Sequence, residues 1–307
     1  MIKSQVLFKT STFTHQQKTE RCPHSCMLKW RQNKLLVRRG DVANHPCLST
    51  LENEQRLTEC LKRSPVKLVS LDYELGETQL NRWADACEQA GKPVFLRIPS
   101  LRELPRKRRP LNWFLKRIID VLAASFLLLV LSPILLLLAF WVRMSSPGPI
   151  FFKQWRIGKR GRFFRILKFR TMVVDAEKQH HQVMGDMPGL HKREDDPRVT
   201  PLGRWMRKYS LDELPQLVNV VRGELSLVGP RPWALYDAVR LSPEGRRRLN
   251  ARPGITGSWQ VEARSTLLDL ETVNHWDLDY LRRWSVRQDL MLLLKTVPKV
   301  LSGFGAY

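Results

Sequence analysis

The chain has 307 residues, of which 52 are Lys or Arg and 29 are Asp or Glu, for a formal net charge of +23. Such an excess implies an anionic partner, and lipid surfaces and nucleic acids are the two usual kinds. The five cysteines, Cys22, Cys26, Cys47, Cys60 and Cys87, are odd in number and irregular in spacing, which argues against a disulfide framework.

Residues 1–50 are polar, basic and without a sustained hydrophobic period, so a poorly ordered segment is expected there. Met1 to Thr19 has no continuous apolar core, which argues against a signal peptide and places the first 110 residues in the cytoplasm. Cys22-Pro-His-Ser-Cys26 could be half of a metal site, but no second ligand pair follows at finger-like spacing; reduced, unligated thiols are expected. Between residues 51 and 110 the pattern sharpens. Leu51–Arg63 reads as a helix and Val66–Leu71 as a strand. Glu77–Ala90 reads as a helix with Leu80, Trp83, Ala84 and Cys87 on one face, and Pro93–Ile98 as a second strand. Strand, helix and strand at this spacing make a βαβ unit. It has no GxGxxG phosphate loop. It cannot bury both faces of its sheet alone, so it must pack on something else, another subunit being one option. Arg102 to Arg109 is a basic linker.

Residues 111–145 hold the apolar stretch Val121–Val142, long enough to cross a ~30 Å hydrocarbon core. Its orientation is ambiguous. From Leu101 to Arg170 there are sixteen Lys or Arg against two acids, Glu103 and Asp120, and they lie on both sides of the stretch. Basic flanks mark the cytoplasmic side, so a straight span would put one cluster on the wrong face. Pro133 near the midpoint removes a helix hydrogen bond, and Ser132 can re-satisfy the freed carbonyl. Topology alone leaves a kinked span and a re-entrant hairpin both open. The charge is explained more economically by anionic lipid than by nucleic acid, for which no zinc-finger spacing or basic-zipper signature is present.

Residues 146–307 read as a compact catalytic domain of mixed helices and short strands. Ile157–Thr171 suggests a hairpin turning at Gly158 and Gly161, and Leu202–Tyr209, Leu211–Arg222, Leu268–Trp284 and Val286–Leu301 suggest helices. Ser210-Leu-Asp-Glu-Leu-Pro-Gln216 sets two carboxylates, Asp212 and Glu213, among Arg204, Arg207, Lys208 and Arg222. Spacing alone allows a capping box, Ser210 with Glu213 three residues on, as readily as a catalytic pair. Lys168-Phe-Arg170 would place two cations on one strand face, suited to a diphosphate. In Ser226-Leu-Val-Gly-Pro-Arg-Pro232, two prolines fix the approach of Arg231, and Arg252 opens a glycine-rich turn.

The segments KFRTM, DPRVTPLGRWMRKYSLDELPQ, RGELSLVGPRP and RPGITGSWQV, in that order behind the Ser-Pro-broken helix, resemble the bacterial sugar transferase family. These are the monotopic phosphoglycosyl transferases, and the resemblance runs from about Asn112 to Tyr307. It implies transfer of a sugar 1-phosphate from a nucleotide diphosphate sugar, expected to be UDP-linked, to undecaprenyl phosphate with release of a nucleoside monophosphate. It implies that Asp212 is the nucleophile, forming a covalent phosphosugar, and that Glu213 acts as a base or helps place metal and acceptor. Mg²⁺ would bridge the diphosphate and the dyad, with Asp212 as its ligand. Lys168, Arg170, Arg207, Arg231 and Arg252 are the candidate phosphate contacts. The chain departs from the family pattern at Ala263, where a Gly usually precedes the Arg, so no role is carried to Arg264. The implied setting is the cytoplasmic face of a bacterial inner membrane, with a homodimer as a further expectation.

The expected fold is therefore α+β: a re-entrant helix-break-helix anchor bearing a mixed α/β catalytic domain, preceded by a small βαβ-containing region. A soluble nucleotide sugar and a lipid phosphate at the inner leaflet favour re-entry, because both basic flanks then share a face. Rival readings are a membrane-associated glycosyltransferase that moves only the sugar, and a non-catalytic membrane assembly protein.

Overall fold

In a computed structural model of the protein, residues 26–40, 53–98, 110–176, 196–262 and 270–303 are described. Cys22, Cys47, the linker Arg102–Arg109 and Arg264 lie outside them.

The N-terminal module is a four-stranded sheet in the order β1-β2-β3-β4. β1 (Cys26–Arg31) and β2 (Lys34–Arg39) pair antiparallel; β3 (Leu68–Leu71) and β4 (Val94–Leu96) extend the sheet in parallel. The crossovers are α1 (Glu54–Arg63) and α2 (Gly76–Gln89). α1 starts at Asn53, whose side chain accepts from the amides of Gln55 and Arg56, and ends on Lys62 and Arg63, matching the helix dipole. α2 turns Leu80, Trp83, Ala84 and Cys87 inward, as its sequence period requires. Burial pushes the Cys87 thiol up to about 12.

Over residues 26–39 the β1–β2 hairpin corrects the expectation of an irregular segment; the rest of residues 1–50, apart from Gly40, lies outside the described residues. The hairpin's alternation is faint: only Leu35 and Val37 of β2 are buried, and β1 is exposed from Leu28 to Arg31. Its turn has no glycine, although Gln32 takes φ 53°. Pairing with β3 orders these strands more than their own apolar content does.

The βαβ unit finds its partner within the chain. The core around Val37, Val69, Leu71 and Trp83 runs on into Trp155, Ile157, Trp233 and Trp259 of the C-terminal domain. Arg165 closes the seam with ion pairs to Asp85 (2.6 Å) and Glu88 (2.9 Å), and Trp155 Nε1 donates to Asp85 (2.7 Å).

α3 (Pro110–Ser145) is a 36-residue helix, about 54 Å long at 1.5 Å per residue. Most of its surface is open and oily: Leu122, Phe126, Leu129 and Leu136 are 64–74% exposed. The helix is assigned through Pro133, and the carbonyl that Pro133 leaves without a donor, that of Leu129, accepts from Ser132 Oγ at 2.8 Å.

Behind α3 follow β5 (Phe151–Ile157) and β6 (Phe163–Phe169), a hairpin whose turn falls at Gly158–Gly161 as expected and whose first strand begins at Phe151. β7 (Ser226–Val228) and β8 (Gly254–Thr256) form a short parallel pair. Around them lie α4 (Pro201–Lys208), α5 (Gln216–Arg222), α6 (Leu235–Ala238), α7 (Ser258–Glu262), α8 (Leu270–Arg283) and α9 (Val286–Ser302).

Both ends of α3 are gripped by this one domain. Near its start, Lys116 pairs with Asp289 (2.6 Å), and Asp120 accepts from Ser226 Oγ (2.6 Å) and the Leu227 amide (3.1 Å). Tyr280 OH and Trp284 Nε1 also donate to Asp289. Near its end, Leu138 and Val142 pack on Phe169 and Met206. The grip makes a stability prediction. Asp289→Ala leaves Lys116 as a buried cation without its closest partner, and should cost about 3–5 kcal/mol in denaturant titrations of the detergent-solubilised protein. Combining it with Lys116→Met should recover only part of that loss, because Tyr280 and Trp284 still lack their acceptor.

Candidate active site

α4 is set by Thr200, which caps the Gly203 amide at 3.0 Å, and by Pro201 in the first turn. Gly203 lets α4 lie against the backbone beyond β6: a Cβ there would fall 2.1 Å from the Thr171 carbonyl oxygen. This approach brings Arg207 to Thr171, whose Oγ1 accepts from Arg207 Nε at 2.9 Å. The chain then reverses at Ser210, a non-glycine residue at φ 52°, ψ 24°. A single 3₁₀ turn, Leu211–Glu213, follows, and α5 begins only at Gln216.

That geometry removes one of the two readings of Ser210 and Glu213. Ser210 is left-handed and makes no side-chain cap, so there is no capping box. The expected helix Leu211–Arg222 splits because Pro215 cannot continue a donor ladder from the 3₁₀ turn. Backbone strain of this kind concentrates at functional sites.

Asp212 is buried at 8% exposure, while Glu213 is half-buried and pairs with Lys168 Nζ at 2.7 Å. Burial draws the Arg207 guanidinium below its usual range, and the charges of Asp212, Asp196 and Glu213 oppose that shift. Asp196 is itself committed to Arg198 (2.6 Å), whose hydrogen bonds hold its carboxyl below the usual carboxylate range. This pair ties residues 196–199 to the segment after β6, through Val173 N to the Arg198 carbonyl at 2.9 Å. The structure thus gathers Asp212, Glu213, Lys168 and Arg207.

The other sequence candidates lie elsewhere or face other partners. Arg170 is buried, and its terminal nitrogens donate to Pro147 O, Ser146 O and Ser146 Oγ just beyond α3. β6 ends at Phe169, so the alternation that would align Arg170 with Lys168 no longer applies. Arg252 Nε donates to Gly223 O (2.9 Å), at the far end of α5, roughly 10 Å along that helix from the dyad. The Arg231 guanidinium stands 5.2 Å from the Trp259 ring centroid, and its backbone amide donates to Asp277 (3.3 Å). Asp277 is paired with Arg248 at 2.5 Å, both 1% exposed, so the Arg231 loop rests on a buried ion pair.

Beside the dyad lies a cavity of about 220 Å³. Glu213 and Ser210 line it with Leu127 and Leu131 of α3, Leu214, and Val300 of α9. One wall is therefore the apolar helix and one edge carries the carboxylate. Among the described residues no group of three His, Cys, Asp or Glu gathers as a metal site. The paired carboxylates still fit Mg²⁺, which is usually held by one or two carboxylates with substrate phosphates supplying the rest. Sequence reasoning passed over Arg156, counted only as part of the basic flank. Its signal was faint, a second cation after Lys153 in a strand of mixed polarity.

The profile described as "Bacterial sugar transferase" matches residues 111–303. The chain is 44% identical over 202 residues to the UDP-glucose:undecaprenyl-phosphate glucose-1-phosphate transferase of Caulobacter vibrioides, covering 62% of this chain and 72% of that protein. It is 39% identical over 206 residues to the exopolysaccharide production protein ExoY of Sinorhizobium fredii, covering 65% and 91%. It is 41% identical over 194 residues to the galactosyl transferase CpsE of Streptococcus agalactiae, covering 62% of this chain but 43% of that protein. The profile match begins in the first turn of α3, takes in the dyad and leaves the N-terminal module outside. The chain belongs to the bacterial sugar transferase family.

Proposed function

We propose that this protein transfers a sugar 1-phosphate from a UDP-linked sugar to undecaprenyl phosphate, as the first membrane step of exopolysaccharide or glycoconjugate synthesis. The observation that carries the reading is the buried Asp212 at a strained turn, flanked by Glu213–Lys168 and Arg207, beside an apolar cavity walled by α3. In the proposed first step an Asp212 oxygen bonds to the phosphorus bearing the sugar, the bond to the bridging oxygen breaks, and UMP leaves. In the second, a lipid phosphate oxygen attacks that phosphorus and the aspartyl bond breaks.

An anionic nucleophile meets an anionic diphosphate only where cations neutralise the phosphoryl oxygens. Lys168 and Arg207 supply two such charges. Mg²⁺ held by Asp212 would add Lewis-acid neutralisation of the diphosphate. Glu213 shares its charge with Lys168 and would act as a base or help place Mg²⁺ and the acceptor phosphate at the cavity edge. The cavity's apolar wall suits the polyprenyl chain.

Re-entry of α3 from the cytoplasmic face belongs to the same proposal. It is supported by one domain holding both helix ends, by Ser132 taking the Leu129 carbonyl, and by the outward stripe Leu290, Leu294, Val297 and Leu301 on α9.

Three outcomes are expected. With polyprenyl phosphate, Mg²⁺ and UDP-sugar labelled in the β-phosphate, label should enter the lipid and UMP should be released; UDP release with unlabelled lipid would replace this reading by simple glycosyl transfer. Asp212→Asn should lower turnover by roughly 10³-fold or more, and Lys168→Ala by roughly 10²-fold. In a cysteine-free background, Leu111→Cys and Met144→Cys, at positions 75% and 70% exposed, should both label from inside-out vesicles only. Labelling from opposite sides would restore a simple span.

A further inference from the structure

Arg156 sits on β5, 9% exposed. One terminal nitrogen donates to the Pro232 carbonyl at 3.1 Å, and the other to Gln154 Oε1. Its Nε is sealed from solvent and has no hydrogen-bond partner. The backbone repeats the contact: Arg156 bridges to Ala234, and the Ile157 amide donates to the Trp233 carbonyl at 3.2 Å. β5 is therefore joined to the segment that follows Arg231. The same strand is half of the hairpin whose partner, β6, carries Lys168, with Phe152 opposite Lys168 and Arg156 opposite Phe164.

A fully buried guanidinium is expensive unless paired, and natural cores seldom leave one of its donors unused. Here both made bonds go to neutral oxygens; burial lowers the guanidinium's pKa, and Tyr236, Asp237 and Glu213 oppose that shift while Arg231 adds to it. An apolar side chain would fill this strand position without that cost. Pro232 has a fixed φ and restricts the backbone of Arg231 before it, so the bond to its carbonyl bears on a stiff stretch of chain.

We propose that Arg156 is a positioning residue, clamping the Pro230-Arg231-Pro232 loop to the hairpin that bears Lys168 and so fixing where Arg231 can meet the donor diphosphate. This rests on the transferase reading above. Arg156 acts through the loop and not on substrate, because both of its terminal nitrogens are turned to Pro232 and Gln154.

The test uses the full-length protein in lipid nanodiscs. Arg156→Lys keeps the charge but cannot bond both Pro232 and Gln154. It should raise hydrogen exchange at Arg231, Trp233 and Ala234 by about tenfold while leaving α2 and α8 unchanged. It should lower kcat/KM for the UDP-sugar by roughly 10²-fold. Arg156→Lys with Arg231→Ala should be no slower than Arg231→Ala alone, because the clamp has nothing left to place. Multiplying losses in the double variant, or unchanged loop exchange, would overturn the proposal. If Arg156→Lys is unstable, Arg156→Met, which removes the bond to Pro232 without leaving a buried charge, gives the same readouts, with intact loop exchange again the overturning result. A wild-type protein that releases no UMP defeats the transferase reading, and loop exchange then judges Arg156 by itself.

Discussion

Lys116 is a buried cation within the first two turns of a helix that is otherwise built for lipid. It is tolerated there because Asp289 lies 2.6 Å away and Asp120 3.9 Å away, and because Tyr280, Trp284 and Ser226 satisfy the remaining oxygens. This cluster joins α3, β7, α8 and α9 at one point. Buried ionic groups of this kind tolerate little displacement, since any shift strands a charge. They therefore fix the rotation of α3 as well as its depth. That rotation turns Leu127 and Leu131 toward the cavity and leaves Phe126 and Leu129 facing outward.

From the same cluster β7 leads on to the Arg231 loop, so the anchor and that loop share one frame. The site itself is an arrangement of charge on three separate elements: Asp212 and Glu213 on a 3₁₀ turn, Lys168 on β6, and Arg207 on α4. None of these elements is long enough to hold its charge unaided. Two of them are braced against backbone: α4 by the approach of Gly203 to Thr171, β6 by Asn219, whose side chain bonds both the Leu167 amide and the Arg165 carbonyl. In such a site preorganisation resides in neutral hydrogen bonds, and charge is what they aim.

The parts legible in the sequence were those with local causes. The period of α2, the glycines at the β5–β6 turn and the Ser132–Pro133 pair each carry their geometry within a few residues. The β1–β2 hairpin does not, since its order comes from β3, some thirty residues on. The Ser210–Glu213 spacing stayed open for a different reason: it fits a capping box only if Ser210 is extended, and the spacing does not show that Ser210 is left-handed. Arg170 was paired with Lys168 by strand alternation that stops one residue short. Arg156 was hidden by its type, because in a chain of such positive charge one more arginine beside the membrane needs no special explanation.

Asn219 and Arg165 give β6 an additional property. The strand is attached on one side to the N-terminal module, through Asp85 and Glu88, and three residues later its Lys168 meets Glu213. Over so short a length a β-strand behaves as a stiff rod. The module is therefore mechanically in series with the catalytic charges, and any load placed on α2 would reach the dyad as a displacement of Lys168.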